Sequence, residues 1–142
     1  MRINFGFLKR LTKKGREERR KEAIAARAEK EFLENNRDFT GIIHSTLANF
    51  QELEIKRDTV IGPEKVGVLV KMEKPGKELI AEYQKQEAAA SVHQLKYGGK
   101  LSKETKEIVE RIISENPTKT WNVATRIFTI KKERIELQRK LN

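Results

Sequence analysis

The chain of 142 residues carries a formal net charge of +10, and its apolar and charged fractions are both 37%. Ordinary domains are about 45–50% apolar and about 25% charged, so this balance favours long solvated helices over a compact sphere with a deep pocket. The length predicts a single domain, and the absence of cysteine excludes disulfides, thiolate metal sites and cysteine nucleophiles.

Targeting signals are missing from the sequence. No apolar run approaches the roughly 18 residues that a membrane-spanning helix needs. The first fifteen residues also lack the uninterrupted apolar stretch of a secretory signal. We therefore expect a location in a virion or the cytoplasm rather than secretion.

Positive charge is concentrated at the two ends of the chain. Residues 1–21 hold nine Lys or Arg against two Glu, and residues 119–142 hold seven against two Glu. The middle of the chain is slightly acidic. Two basic ends predict contact with a polyanion or with an acidic protein surface.

The first segment, residues 1–15, mixes apolar and basic side chains. Phe5, Phe7, Leu8 and Leu11 stand among Lys and Arg, and the segment is too short to fold alone. We interpret it as a docking arm, followed by a single helical domain over residues 16–142. An anchor on a membrane surface is the alternative, which Gly6 disfavours.

Two helices are predicted next. Residues 16–35 are rich in Glu, Lys, Arg and Ala, which favour helix. Ile24, Ala28 and Phe32 form one narrow apolar stripe, and the pair Asn35-Asn36 is the expected stop. Residues 38–53 show helical spacing more weakly, because Gly41 interrupts them.

The central residues 52–73 favour a different structure. Val66, Val68 and Val70 alternate with other residues, which is the period of a strand, and Gly62-Pro63 precedes them as a turn. We expect a small β hairpin or an extended arm here. The competing interpretation is a helix that begins at Pro63.

Further helices follow an expected break at Lys74-Pro75-Gly76. One spans residues 77–97 and ends at Gly98-Gly99 with a left-handed glycine. Another is capped by Ser102 and ends at Asn116-Pro117. The sequence therefore predicts a mainly α fold of four to five helices with a small central β hairpin or extended arm.

The last predicted helix starts at Thr118 or Thr120 and runs to about residue 141. Val123, Ile127 and Ile130 share an apolar stripe, and we expect Trp121 and Phe128 to widen it into the core. Contact between these two aromatic residues and a partner is the minority interpretation.

Catalytic chemistry finds little support in the sequence. His44 and His93 are far apart and no HExxH pair is present, so no metal site is predicted. The carboxylates stand among Lys and Arg at helical spacing, which is typical of solvated pairs. Phosphate-loop and GxSxG motifs are absent. We expect neither an enzyme nor a cofactor.

The basic ends carry the functional hypothesis, which is a structural subunit of a large assembly. A phage or virus particle is the first expectation and a ribonucleoprotein the second. Other subunits, possibly in several copies, and DNA or RNA phosphates are the expected partners. The alternative is a free-standing nucleic-acid-binding regulator that uses residues 102–141 as a helix-turn-helix-like pair. The residues expected to bind nucleic acid or an acidic partner are Lys9, Arg10, Lys13, Lys14, Arg16, Arg19, Arg20, Lys131, Lys132 and Arg139.

Overall fold

The structure is a computed structural model, which describes the backbone of residues 5–142 and the side chains of residues 12–142. Within this part of the chain three long helices form a bundle. They are α1 (Phe5–Arg57), α2 (Gly62–Tyr97) and α3 (Lys103–Leu141), with a short 3-10 turn at Gly98–Lys100. The described residues contain no strand. The predicted hairpin and the predicted four to five helices are therefore both wrong.

The helices run up, down and up, with α2 packed along both of its neighbours. Glu29 of α1 lies beside Ser102, which precedes α3. Further along, Glu54 of α1 pairs with Arg126 of α3. Helices α1 and α3 therefore run in parallel, and they approach each other less closely than either approaches α2.

A heptad pattern explains the packing. The buried residues of α2 recur at alternating steps of three and four, which keeps them on one stripe. This stripe consists of Leu69, Met72, Gly76, Leu79, Tyr83, Gln86, Ala90 and His93. The same steps place Ile43, Thr46 and Phe50 of α1 inside. Each helix thus buries one face against the other two.

Side chains from α1 and α3 both pack directly on α2 at Gly76. A Cβ atom added there would lie 2.8 Å from Cγ1 of Ile127 and 3.2 Å from Cε2 of Phe50. Only a residue without a side chain allows α1 and α3 to approach α2 in this way. The expected break at Lys74-Pro75-Gly76 is wrong, because α2 continues through Pro75 and uses the glycine for packing.

A layer of buried amides replaces apolar packing in the middle of the bundle. Gln86 donates from Nε2 to Oδ1 of Asn36 at 2.9 Å. Asn116 donates from Nδ2 to Oε1 of Gln86 at 2.9 Å and to the carbonyl of Tyr83 at 3.0 Å. Each helix contributes one amide side chain, and shifting any helix by a turn would leave the others unpaired. The layer therefore favours one register of the three helices.

Two predicted helix stops are these same asparagines, so those predictions are wrong. Helix α1 continues through Asn36, and α3 continues through Asn116 and Pro117. Since α3 is one helix, residues 102–141 form no helix-turn-helix. The amides end no helix because they find partners across the core, where a local sequence pattern cannot place them.

The predicted strand residues lie in α2. Val68 is buried and Val70 is exposed. Residues two apart would lie on the same face of a strand, so the spacing of the three valines does not reflect a strand here. The competing interpretation, a short helix from Pro63, is right about the start, because α2 begins at Gly62 with Pro63 in its first turn, and wrong about the length, because α2 continues to Tyr97.

Two predictions about helix ends were partly or fully right. Helix α2 ends at Tyr97 as expected, but Gly98 has φ −50°, which is right-handed, and a 3-10 turn follows. Ser102 caps α3 as predicted, because its side chain accepts a hydrogen bond from the N–H of Thr105 at 3.3 Å.

Candidate functional site

The first part of α1 extends beyond the bundle. Ala25 is its first buried residue, and Glu29 already lies level with the start of α3. Residues 5–24, here called the projecting segment, therefore extend about 30 Å past the other helices. From Thr12 to Ile24 every residue except Gly15 is exposed.

The projecting segment carries most of the predicted site. Lys13, Lys14, Arg16, Arg19 and Arg20 are all exposed on it. Lys9 and Arg10 belong to α1, but their side chains lie outside the described residues. The predicted docking arm likewise falls on residues whose side chains are not described, although its residues from Phe5 onward share one helix with the rest of α1.

The basic residues are not spread evenly around α1. At 100° per residue, six of them fall within an arc of about 120° on the face opposite the buried residues. This outer basic stripe consists of Lys13, Arg16, Arg19, Arg20, Arg27 and Lys30. It is about 25 Å long, and all six side chains are exposed. Lys14 lies off the stripe.

The acidic residues of the same stretch point elsewhere. Glu18 and Glu22 continue the line of the core residues Ala25 and Phe32, while Glu17 lies at its flank. No acidic residue shares the outer arc between Lys13 and Lys30, and no ion pair involves the six basic residues within the described part of the chain. Between Lys13 and Lys30 the outer arc therefore carries positive charge alone, and the exposed Glu31 and Glu34 continue the arc directly after Lys30.

Two members of the stripe were not among the predicted site residues. Arg27 and Lys30 lie on the part of α1 that packs against α2. Helical periodicity indicates Arg27, because Arg16, Arg20 and Arg27 share a face at steps of four and seven. The predicted site consisted instead of basic residues near the two ends of the chain, so it contained neither Arg27 nor Lys30.

The second predicted set lies at the other end of the molecule. Lys132 and Arg139 are exposed on the last turns of α3, and Lys131 is half-buried. Counting along the helices from the Glu29–Ser102 contact, Lys131 lies about 57 Å from Arg20. The structure therefore does not bring the two basic sets together. Arg134, which lies between Lys132 and Arg139 in the sequence, is paired with Glu73 at 3.1 Å.

A polar cluster closes the end of the bundle beneath the projecting segment. The Ser102 hydroxyl donates to the carboxylate of Glu29 at 2.6 Å. Hydrogen bonds from Ser102 and Thr105 lower the pKa of Glu29, with a smaller contribution from His93. These contacts tie α1 to the start of α3 and give Glu29 a structural role.

His93 lies next to this cluster in an aromatic stack. Its ring packs on Phe32 with centroids 4.5 Å apart and contacts Tyr97 at 5.2 Å. Burial lowers the pKa of His93, and the charge of Glu29 acts against that shift. Its Nε2 is buried without a hydrogen-bond partner. An open groove of about 530 Å³ runs beside the stack, and a neutral, stacked histidine serves there as a core residue.

Neither a metal-binding cluster nor a membrane-spanning helix is found among the described residues. No group of three or more His, Asp or Glu is close enough to hold a metal ion there. None of the described helices has a stretch long and apolar enough to span a bilayer.

Comparison with models of known protein families, with curated proteins and with solved structures finds no match to this chain.

Proposed function

We propose that this protein is a non-catalytic structural subunit that binds nucleic-acid phosphates through the outer basic stripe of α1. The observation that carries the proposal is the segregation of charge: six exposed Lys and Arg lie on one face of a helix that extends beyond the bundle. Between Lys13 and Lys30 no acid lies on that face, and none of its six cations takes part in an ion pair within the described part of the chain, so these cations can bind an external anion.

The geometry suits a charged polymer. The stripe presents its charges in a straight line about 25 Å long. Phosphates of one strand of duplex DNA follow each other at about 3.4 Å along the helix axis, so several of them lie within the length of the stripe. Each phosphate that is neutralised releases counterions into solution, which gives affinity without sequence preference. The bundle holds the C-terminal end of the stripe, at Arg27 and Lys30, and the rest of the stripe extends from it as a continuous helix.

The remaining charged groups support a structural role for the bundle itself. Glu73 pairs with Arg134 and Glu133 with Lys65, in both cases between α2 and α3. Carboxylates held in such pairs fasten helices together and are not poised for proton transfer. The setting in a virus particle, or next in a ribonucleoprotein, stays a prediction.

A salt series on the full chain tests the proposal. Affinity for a random-sequence duplex DNA and for a random-sequence RNA would be measured from about 50 to 300 mM salt. The test variant changes the six residues of the outer basic stripe to Gln. We expect tight binding that weakens steeply with salt, and a log–log slope that is smaller by up to about 5 in the variant.

A charge-matched variant provides the control. It changes six exposed lysines on the bundle to Gln and so loses the same six charges: Lys71, Lys74, Lys77, Lys100, Lys103 and Lys106. We expect it to keep most of the affinity. Equal losses in both variants would mean that only net charge matters, which contradicts a defined site. No binding at low salt would overturn the nucleic-acid proposal and leave an acidic protein surface as the partner.

A further inference from the structure

Helix α3 carries a second apolar face that the bundle does not use. Trp121 is 66% exposed, Phe128 71% and Ile135 42%. Since they follow each other at intervals of seven, they lie along one line of the helix. The predicted burial of Trp121 and Phe128 is therefore wrong. With the exposed Pro117 and Ala124, they form what is here called the outer apolar stripe, about 27 Å long.

The inward and outward faces of α3 are clearly separated. Val123, Ile127 and Ile130 are buried against α1 and α2. At 100° per residue the centre of the outer apolar stripe lies about 125° away from them. Residues on that side of α3 face away from the buried residues of α1 and α2. Their exposure therefore follows from the position of the stripe and not from loose packing.

We propose that the outer apolar stripe is the dimer interface between two copies of this chain, with the two α3 helices antiparallel and crossing at Phe128. The three large residues of the stripe are symmetric about Phe128, because Trp121 and Ile135 are each seven positions away. A two-fold axis at Phe128 packs it on its own copy. The same axis places the large Trp121 opposite the smaller Ile135, so the surface is complementary to itself.

Charge selects the antiparallel orientation. Lys132 and Arg139 flank the C-terminal half of the stripe, whereas Pro117 and Ala124 lie in the N-terminal half. In a parallel pair Lys132 would face Lys132 and Arg139 would face Arg139. The antiparallel pair places these cations opposite Ala124 and Pro117, which keeps like charges about two turns apart.

The available area fits a reversible dimer. Aromatic side chains offer about 150–250 Å² each, so the exposed parts of the three large residues amount to about 350–400 Å² on one copy. Standard interfaces bury about 800 Å² per partner. The apolar area is less than half of that, which corresponds to a weak, reversible interface, and we expect a dissociation constant in the micromolar range or above.

The dimer has a consequence for the projecting segments. Because the two α3 helices are antiparallel, the two α1 helices are antiparallel as well, and their projecting segments extend from opposite ends of the dimer. Such a particle presents two outer basic stripes. The dimer itself is independent of the proposed function, and its test is made without nucleic acid.

Sedimentation velocity of the full chain between about 1 and 200 μM measures the association. We expect the wild-type chain to change from monomer to dimer over this range. Phe128→Lys should weaken association at least 10-fold while the helical circular dichroism stays unchanged. Asn122→Lys, which adds the same charge at an exposed position off the stripe, should dimerise normally. A monomer at 200 μM, or an undisturbed dimer of Phe128→Lys, would overturn the proposal.

Single cysteines determine the orientation, because the chain has none of its own. In the antiparallel pair position 124 lies opposite position 132 of the other copy. Ala124→Cys alone and Lys132→Cys alone should give little disulfide-linked dimer on mild oxidation, whereas their mixture should give it readily. Crosslinking of each single variant with itself would contradict the antiparallel interface.

Discussion

Asn116 offers a sharp test of how the bundle sets its register. Its side chain is 2% exposed, and its Nδ2 donates to Gln86 and to the carbonyl of Tyr83. In Asn116→Ala both acceptors lose this donor. Gln86 still donates to Asn36, but its own Oε1 is left buried without a partner.

The expected cost follows from these contacts. A buried acceptor left unpaired costs about 1–3 kcal/mol, and the loss of packed side-chain atoms adds about 1 kcal/mol. We therefore expect Asn116→Ala to lower the free energy of unfolding by about 2–4 kcal/mol. With an unfolding entropy of about 2.1 cal/mol/K per residue, this corresponds to a fall in Tm of about 7–13 °C.

Urea unfolding followed by circular dichroism measures the loss. Asn122→Ala is the matched control, because Asn122 is exposed on the same helix and should change stability by less than about 0.5 kcal/mol. A triple variant, Asn36→Leu with Gln86→Leu and Asn116→Leu, should recover most of the stability, since it removes all three amides that bond to one another. If Asn116→Ala were as mild as its control, the amide layer would contribute nothing to the fold, and our reasoning would be refuted.

Three further predictions concern packing, protonation and exposure. Gly76→Leu should destabilise the bundle by more than about 2 kcal/mol through overpacking, whereas Gly67→Leu, with open space around it, should be neutral or stabilising in a urea titration. Burial lowers the pKa of His93 below its ordinary value of 6.5, so the unfolded chain holds the proton more tightly. The resulting stability is complete above pH 6.5 and is lost as the pH falls through the folded pKa. We expect Tm to decrease less between pH 7.5 and pH 5 in His93→Phe than in the wild-type chain. The control His44→Phe, at an exposed position, should show the same decrease in Tm as the wild-type chain. Limited trypsin digestion should cut residues 13–24 first, because every residue there except Gly15 is exposed, and early cleavage within α2 would contradict the fold.

Local chemistry in the sequence was sufficient for several features of this protein. Ser102 was recognised as a helix cap and Pro63 as a possible helix start, because both act through their own backbone neighbours. The exposed basic residues from Lys13 to Arg20 were found as well, since residues 12–23 contain no apolar side chain larger than that of Ala23.

Residues that commonly end helices were the main source of error in the predicted helix boundaries. Pro75 and Pro117 each remove one helical hydrogen bond, and Asn36 and Asn116 compete with the backbone, so each weakens a helix by a few kcal/mol at most. Burial of a heptad stripe over 36 or more residues outweighs such losses. Only the packed bundle supplies the cross-helix partners that turn these asparagines into core residues.

The tertiary structure also decided which face of α3 points into the bundle. Its sequence holds two apolar lines, one through Ile127 and one through Phe128, and periodicity gives both the same helical signal. The line through Ile127 faces inward because it fits against Gly76 of α2. What the sequence by itself determined is helix content, one cap and the place of the positive charge. What only the three-helix packing decided is the register, the inward face and the distance between the two basic ends, since each depends on contacts between residues far apart in the chain.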